Sequence, residues 1–272
     1  MRCISPVSIE YPKLSKHFIA VPCGKCIACQ QNRRAMWSFR LEQELKVAQS
    51  AHFLTLTYDD LHLPRSDTGF PCVLTRDVQL FLKRLRKLIT PAKIRYFLVS
   101  EYGSETHRPH YHVIMFNFPK DKDLNTYLSK SWTLGHFSVG TVTSASIAYV
   151  TKYCLKDISS PDDYEPNFML CSRKPAIGSN YLTPEILQYF KSHDPFVVKQ
   201  GYRLSLPKYY KDRVEQNTFR KVQLSQLYFE KAKQIDEKIR DMYSDKPCPI
   251  TYYNEQFVES SLRKEAHKKS KL

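Results

Sequence analysis

The segment SEYGSETHRPHYHVIMF, residues 100–116, limits the fold more than any other stretch of the chain. It links the end of one apolar, β-rich run, KIRYFLVSE at 93–101, to another, HYHVIMFNF at 110–118. The pattern predicts two strands joined by a polar turn. His110 and His112 are two apart in the second strand, so both imidazoles leave one face of the sheet and Tyr111 leaves the other. Glu101 ends the first strand, and the turn carries the chain back beside the histidine pair. Glu101, His110 and His112 could then hold one divalent cation and leave positions open for water or a substrate oxygen. H-x-H alone also describes ordinary surface or core histidines; the carboxylate and the Arg108-Pro109 turn favour the metal reading.

The neighbouring segments extend this hairpin into a sheet with helices. Met36, Phe39 (or Trp37), Leu41, Leu45 and Ala48 recur at helical spacing over 30–51. HFLTLTY, 52–58, reads as a strand ending in the Tyr58-Asp59-Asp60 turn. Thr75 or Asp77 can cap a helix to about Ile89, with Val78, Phe81, Leu82, Leu85, Leu88 and Ile89 on its apolar face. A short helix over 123–132, a strand at 136–143 and a helix over 144–156 opened by Ser144 or Ser146 complete the order. This β-α-β-β-α-β-α succession predicts an α+β domain: a central antiparallel β-sheet with packed helices. Three parts follow: a cysteine-rich element and basic helix at 1–51, the core at 52–156, and a C-terminal extension at 157–272. The extension holds one long helix near 212–243, and the basic tail SLRKEAHKKSKL reads as solvated.

Charge narrows the partners. Lys and Arg number 42 against 27 Asp and Glu, a net charge of +15, which predicts an anionic partner and nucleic acid above others. The surface cations Lys83, Arg84, Arg86 and Lys87 of the 76–89 helix, with Arg108 and Lys156, are candidates for following a DNA backbone, although such runs are also ordinary solvated faces. No stretch approaches the length of a membrane span, and the N-terminus lacks the apolar run of a secretory signal.

Of 8 cysteines, Cys23, Cys26 and Cys29 form C-x-x-C-x-x-C. In an unsecreted chain this reads as metal or redox chemistry, and it places the protein in a reducing cytoplasm. The three thiolates, with Cys3 as the natural fourth, suit tetrahedral Zn²⁺. The spacing also occurs in iron–sulfur sites, but nothing else in the sequence calls for electron transfer. Cys72, Cys154, Cys171 and Cys248 are scattered and read as structural.

The second piece of chemistry is AYVTKYCLK, 148–156. Tyr149 and Tyr153 are i and i+4 on a helix and share a face. A phenol with a pKa of about 10 is a poor nucleophile at neutral pH. An ammonium such as that of Lys152 lowers that cost and favours approach to phosphate. The same residues would also serve as the amphipathic edge of a core helix.

Taken in order, HFLTLTYDD, the His-hydrophobic-His strand and Tyr-x-x-Lys-Tyr resemble the three motifs of HUH endonucleases. The tyrosine pair, RPHYH and CGKCIAC before a basic helix are similar to the replication initiators of Microviridae, particularly the gokushovirus branch. Those motifs span 52–156 with 23–35; beyond 157 only SRKPAIG and LPKYY echo the group. The resemblance implies a ferredoxin- or RRM-like sheet and a first motif that is largely structural. It also implies a divalent cation (Mg²⁺ or Mn²⁺) on His110 and His112, completed by a nearby acidic or polar residue whose place Glu101 takes. Nicking of single-stranded phage origin DNA would leave a 5′-phosphotyrosine bond and a 3′-OH for a host polymerase in the bacterial cytoplasm. With two tyrosines, one would hold the old 5′ end while the other attacks the regenerated origin. Whether the last third recruits a host helicase, binds the origin or only caps the fold stays open.

Other classes fit parts of the pattern. A non-haem iron oxygenase would use the same triad but leaves the charge and the tyrosines unexplained. A non-enzymatic zinc-containing single-stranded-DNA-binding protein explains the charge and cysteines alone. An HUH transposase or relaxase shares the core.

Overall fold

The computed structural model describes residues 3–10, 18–103, 105–153, 164–199, 201–214 and 218–269. In chain order come β1 (Val7–Glu10), β2 (Phe18–Val21), α1 (Ile27–Val47), β3 (Ala51–Tyr58) and α2 (Thr75–Ile89). They are followed by β4 (Arg95–Tyr102), β5 (Pro109–Phe116), α3 (Leu124–Ser131), β6 (Gly135–Thr141) and α4 (Ser144–Tyr153). Then come β7 (Met169–Cys171), α5 (Pro184–Ser192), β8 (Phe196–Lys199), β9 (Tyr202–Ser205), α6 (Lys208–Val214), α7 (Thr218–Met242) and α8 (Pro249–Lys269). The chain forms two compact units, one of residues 33–207 and one of residues 1–32 with 208–272.

The larger unit is built on a five-stranded sheet in the order β6-β3-β5-β4-β7, every neighbouring pair antiparallel. This is the α+β architecture that the alternation of patterns predicts. β5 lies at its centre and is buried along nearly its whole length because both faces are covered. Tyr111, Val113 and Met115 point to one side, where Val78, Phe81, Leu82 and Leu85 of α2, with Leu128 and Trp132, close a large apolar core. Ile114 and Phe116 point to the other, against Leu41 of α1 and Ile147 and Val150 of α4. The helical spacing of those apolar residues sets which face of each helix turns inward. β7, from beyond residue 156, adds the outer strand beside β4.

Two helix starts differ from the sequence expectation. Neither Thr75 nor Asp77 caps α2; its first residues follow Leu74, which has no side-chain cap. Instead the Leu74 N–H donates to the Tyr111 hydroxyl at 2.8 Å and the Val73 N–H to the Tyr102 hydroxyl at 3.0 Å. Asp77 accepts from the Tyr58 hydroxyl at 2.7 Å. Tertiary tyrosines thus do the work of a local cap. At α4, Thr143 accepts from the Ser146 N–H at 3.2 Å while Ser146 Oγ accepts from the Thr143 N–H at 2.6 Å. That reciprocal box places the cap one residue before Ser144.

Two further features fix this unit. Gly135, at φ 153°, opens β6 so close to β3 that a Cβ would lie 2.3 Å from the Asp59 nitrogen. Only glycine permits that approach. Glu44 of α1 is buried but fully engaged: it pairs with Arg95 of β4 and accepts from the Gly178 N–H at 2.8 Å. Arg95 also donates to the carbonyls of Pro175 and Ala176, both at 2.9 Å. A buried carboxylate is tolerable only with such partners.

In the smaller unit β1 and β2 pair as a short antiparallel ribbon, and α7 and α8 pack on each other. The long helix expected near 212–243 is divided into α6 and α7. The basic tail is a correction: α8 runs through it to Lys269 instead of leaving it as solvated coil. Its charges alternate along the helix, with Glu259 and Arg263 paired at i,i+4, so high charge here accompanies helix. No helix of the described residues is long and apolar enough to cross a membrane.

Candidate active site

The hairpin places the acid and the imidazoles together through register. Glu101 on β4 sits opposite His110 on β5, and Val99 opposite His112. The connecting turn is closed by Gly103 N–H to the Arg108 carbonyl at 3.0 Å. Glu101 Oε2 reaches diagonally past His110 and lies 3.0 Å from His112 Nε2. On the opposite flank Thr55 of β3 faces His112, with Oγ1 3.1 Å from Nδ1. With Nδ1 donating to Thr55, Nε2 turns its lone pair toward the carboxylate, an arrangement that favours a cation between them. Phe53 stacks on the His112 ring at 5.8 Å and 17°.

His110 lies parallel to His112, ring centres 6.5 Å apart. Burial holds its pKa below the usual imidazole range, the neighbouring His112 adds to this, and Glu101 opposes it. The neutral form, which carries the ligating lone pair, is therefore favoured. A Cβ on Gly103 would come within 3.2 Å of His110 Nε2, so the missing side chain keeps the space at that nitrogen open. Two imidazoles and a carboxylate, with one imidazole oriented by a hydroxyl, suit a divalent cation. The residues present fit that group, with Glu101 and His112 already converged and His110 beside them.

Helix α4 delivers the tyrosine. Ile147, Val150 and Thr151 are fully buried, and Thr151 Oγ1 lies 3.0 Å from Ser38 Oγ of α1. Arg34 of α1 donates to the Ala148 carbonyl at 2.9 Å. Anchored on that side, the helix turns Tyr149 to the sheet, where its ring meets His112 edge-on at 5.3 Å and remains 39% exposed. Lys152 is half-buried in the last turn. Tyr153 ends the helix, but its side chain lies outside the described residues, as does Lys156.

The expected DNA-contacting residues divide differently. Arg108 donates to Asp60 at 2.7 Å and to the Tyr58 carbonyl at 3.0 Å, beside the β3 end of the site. Helix α2 packs on the Tyr111 face, so Lys83, Arg84, Arg86 and Lys87 lie across the sheet from the histidines. Arg84 reaches the Thr133 hydroxyl at 3.3 Å, and the Arg86 guanidinium lies 5.2 Å from the Tyr96 ring centre.

The cysteines form a separate group in the smaller unit. Among the described residues, Cys3, Cys23, Cys26 and Cys29 are the only set of three or more His, Cys, Asp or Glu with ligand atoms all within 4.8 Å. Sγ of Cys3 is 3.5 Å from that of Cys23 and 3.8 Å from that of Cys26. A tetrahedron with Zn–S bonds of about 2.3 Å has edges of about 3.8 Å. The cluster can thus hold a metal such as zinc. Burial pushes the Cys29 thiol up to about 12, reinforced by the neighbouring thiols. Burial also opposes ionisation of Cys26, but N–H bonds from Cys29 and Ile4 and nearby thiols hold it down to about 6. A cation would relieve the mutual repulsion that keeps the set from ionising together.

Sequence comparison gives this arrangement its context. The family model for replication-associated protein ORF2 matches residues 51–158, from β3 through α4. The replication-associated protein VP4 of Bdellovibrio phage phiMH2K is 31% identical over 252 residues, covering 80% of this chain and 78% of that protein. The chain belongs to the phage replication-associated protein family. A second replication-associated protein, ORF2 of Spiroplasma virus 4, is 29% identical over 83% of this chain and 77% of its own length. ORF4 of Chlamydia phage 1 is 27% identical, over 74% of this chain and 55% of its own length. No solved structure matches the chain. The match of this replication-associated protein to its family model contains every element of the histidine–tyrosine site. Thr55, Phe53 and Gly103 are the site residues that sequence reasoning missed; their signal, register across β3 and β5, exists only once the strands are paired.

Proposed function

We propose that the protein initiates rolling-circle replication by nicking single-stranded origin DNA with a tyrosine. The observation that carries this reading is Tyr149 against His112, whose Nε2 faces Glu101 at 3.0 Å, inside the replication-family match. A divalent cation bound by His110, His112 and Glu101 would act as a Lewis acid on the scissile phosphate and orient it for in-line attack. Tyr149 or Tyr153 supplies the attacking phenolate. Its oxygen bonds to phosphorus as the bond to the 3′ oxygen breaks; the phenolic proton leaves to solvent and the 3′ oxygen takes one up. Thr55 keeps the His112 ring oriented, and Phe53 excludes water from its face. Lys152, on the same helix, favours the phenolate and the approaching phosphate.

The product is a 5′-phosphotyrosine bond and a 3′-OH that a host polymerase in the bacterial cytoplasm extends. Because the linkage retains the phosphodiester, attack by a 3′-OH reverses the step and closes a circle. The second tyrosine permits nicking again while the first is occupied. The four cysteines hold a structural zinc ion in this reading. Residues 52–156 carry the chemistry, with 1–51 and 157–272 as flanking parts.

The test is incubation with labelled single-stranded origin DNA and Mg²⁺ or Mn²⁺, followed by denaturing electrophoresis. A denaturant-resistant protein–DNA adduct that EDTA prevents is the expected result. Tight binding of origin DNA with no adduct in either metal would replace nicking with a binding role.

A further inference from the structure

On the other side of the sheet, where α2 runs into β4, the larger unit has a cleft of about 1060 Å³. This is at the upper end of the ~300–1,000 Å³ usual for small-molecule pockets. Exposed Arg86, Lys93, Arg173 and Lys174 line it, and no carboxylate appears among the described lining residues. The Tyr96 ring, with Arg86 over it at 5.2 Å, adds an aromatic surface. Arg95 is also present, but Glu44 and two carbonyls hold its guanidinium. None of these groups has a part in the histidine–tyrosine site. Arg95 stands six residues before Glu101 on β4, so the cleft begins about 20 Å along the strand from the metal ligands.

We propose that this cleft binds a second segment of single-stranded DNA, apart from the segment held for nicking. The inference rests on single-stranded DNA being the substrate and adds where its flanking nucleotides go. Cations tracking phosphates beside an aromatic ring are the chemistry of sequence-tolerant single-strand binding. Separation by the sheet explains why α2, the most basic helix of the core by sequence, does not reach the histidines: its Arg86 serves the cleft. A net charge of +15 supplies the long-range attraction, and the carboxylate-free lining gives it a local address.

The test measures binding of the full chain to a fluorescent oligonucleotide of about 30 nucleotides, with EDTA present so that no strand is cut. Lys93→Ala, Arg173→Ala and Lys174→Ala are combined; all three side chains are exposed, so folding is retained. Affinity should fall at least tenfold, and the slope of log affinity against log salt should become shallower by about 2, at roughly 0.7 per phosphate contact. Photocrosslinking of an iodouracil oligonucleotide should label the peptide containing Tyr96. A control removing three exposed lysines elsewhere, Lys130, Lys238 and Lys264, should leave most of the affinity. Unchanged affinity and slope in the cleft variant, an equal loss in the control, or displacement of the oligonucleotide by equimolar ATP would overturn the proposal. Failure of the parent chain to form an adduct with metal would sink the nicking reading alone, since this binding is read without it.

Discussion

The cysteine cluster and the histidine site are both ligand sets, and they are prepared to different degrees. Four sulfurs already stand within 4.8 Å of one another, which leaves a tetrahedral ion no further position. In the sheet, Glu101 and His112 meet at 3.0 Å while the His110 ring centre stays 6.5 Å from that of His112, with Tyr149 on the open flank. A closed set suits a structural ion; a set with room beside it suits one that must also admit substrate. The difference has a local origin. The cysteines cluster where the chain is short between them, whereas the histidine site needs β3, β4, β5 and α4 in register.

The largest effect that would sharpen this contrast is expected at the cysteines. Cys26→Ser with Cys29→Ser should abolish stoichiometric zinc measured by metal analysis, and with it a binding contribution of about 10 kcal/mol or more. The smaller unit should lose its cooperative melt while the sheet unit keeps its own. Purified parent protein with intact thiols and no zinc would break the comparison. At the histidine site the effect should fall on chemistry rather than folding. His112→Ala is expected to slow adduct formation by about 10³-fold, the equivalent of several kcal/mol of transition-state charge stabilisation. A melting temperature that collapses instead would make His112 a core residue.

Smaller effects follow for the residues around the ligands. Thr55→Val keeps the shape but removes the hydroxyl at His112 Nδ1, and should weaken Mn²⁺ binding by about 10–100-fold in a titration. Gly103→Ala would crowd His110 Nε2, where a Cβ meets it at 3.2 Å. A shift of a few tenths of an ångström should cost roughly three- to tenfold in nicking rate, read as kcat with little change in KM for DNA.

How much of this was legible in the sequence follows the range of the interactions. The hairpin, the shared face of His110 and His112, and the opposite direction of Tyr111 depend only on strand alternation, and the structure has all three. The order of strands and helices from β3 to α4 was readable from apolar spacing for the same reason. The diagonal Glu101–His112 contact was not, because it depends on which residues pair across the turn. Nor was the Thr55 contact, which needs β3 beside β5 although the two are separated by α2 and β4. The basic residues of α2 looked like partners of the histidines in sequence. Their apolar neighbours Val78, Phe81 and Leu85 decide otherwise, by seating the helix on the far face. At the C-terminus, charge density pointed to a solvated tail, whereas the i,i+4 pairing of Glu259 with Arg263 accompanies a helix.

The central claim is that a tyrosine of α4 attacks DNA phosphate beside the histidine pair. Its most direct measurement is mass spectrometry of the nucleotide-bearing peptide after reaction with Mn²⁺ and single-stranded origin DNA, in the parent chain and in Tyr149→Phe with Tyr153→Phe. The account predicts nucleotide on Tyr149 or Tyr153 and no adduct in the double variant. An adduct that persists in the double variant, or nucleotide carried by a residue outside α4, would contradict it.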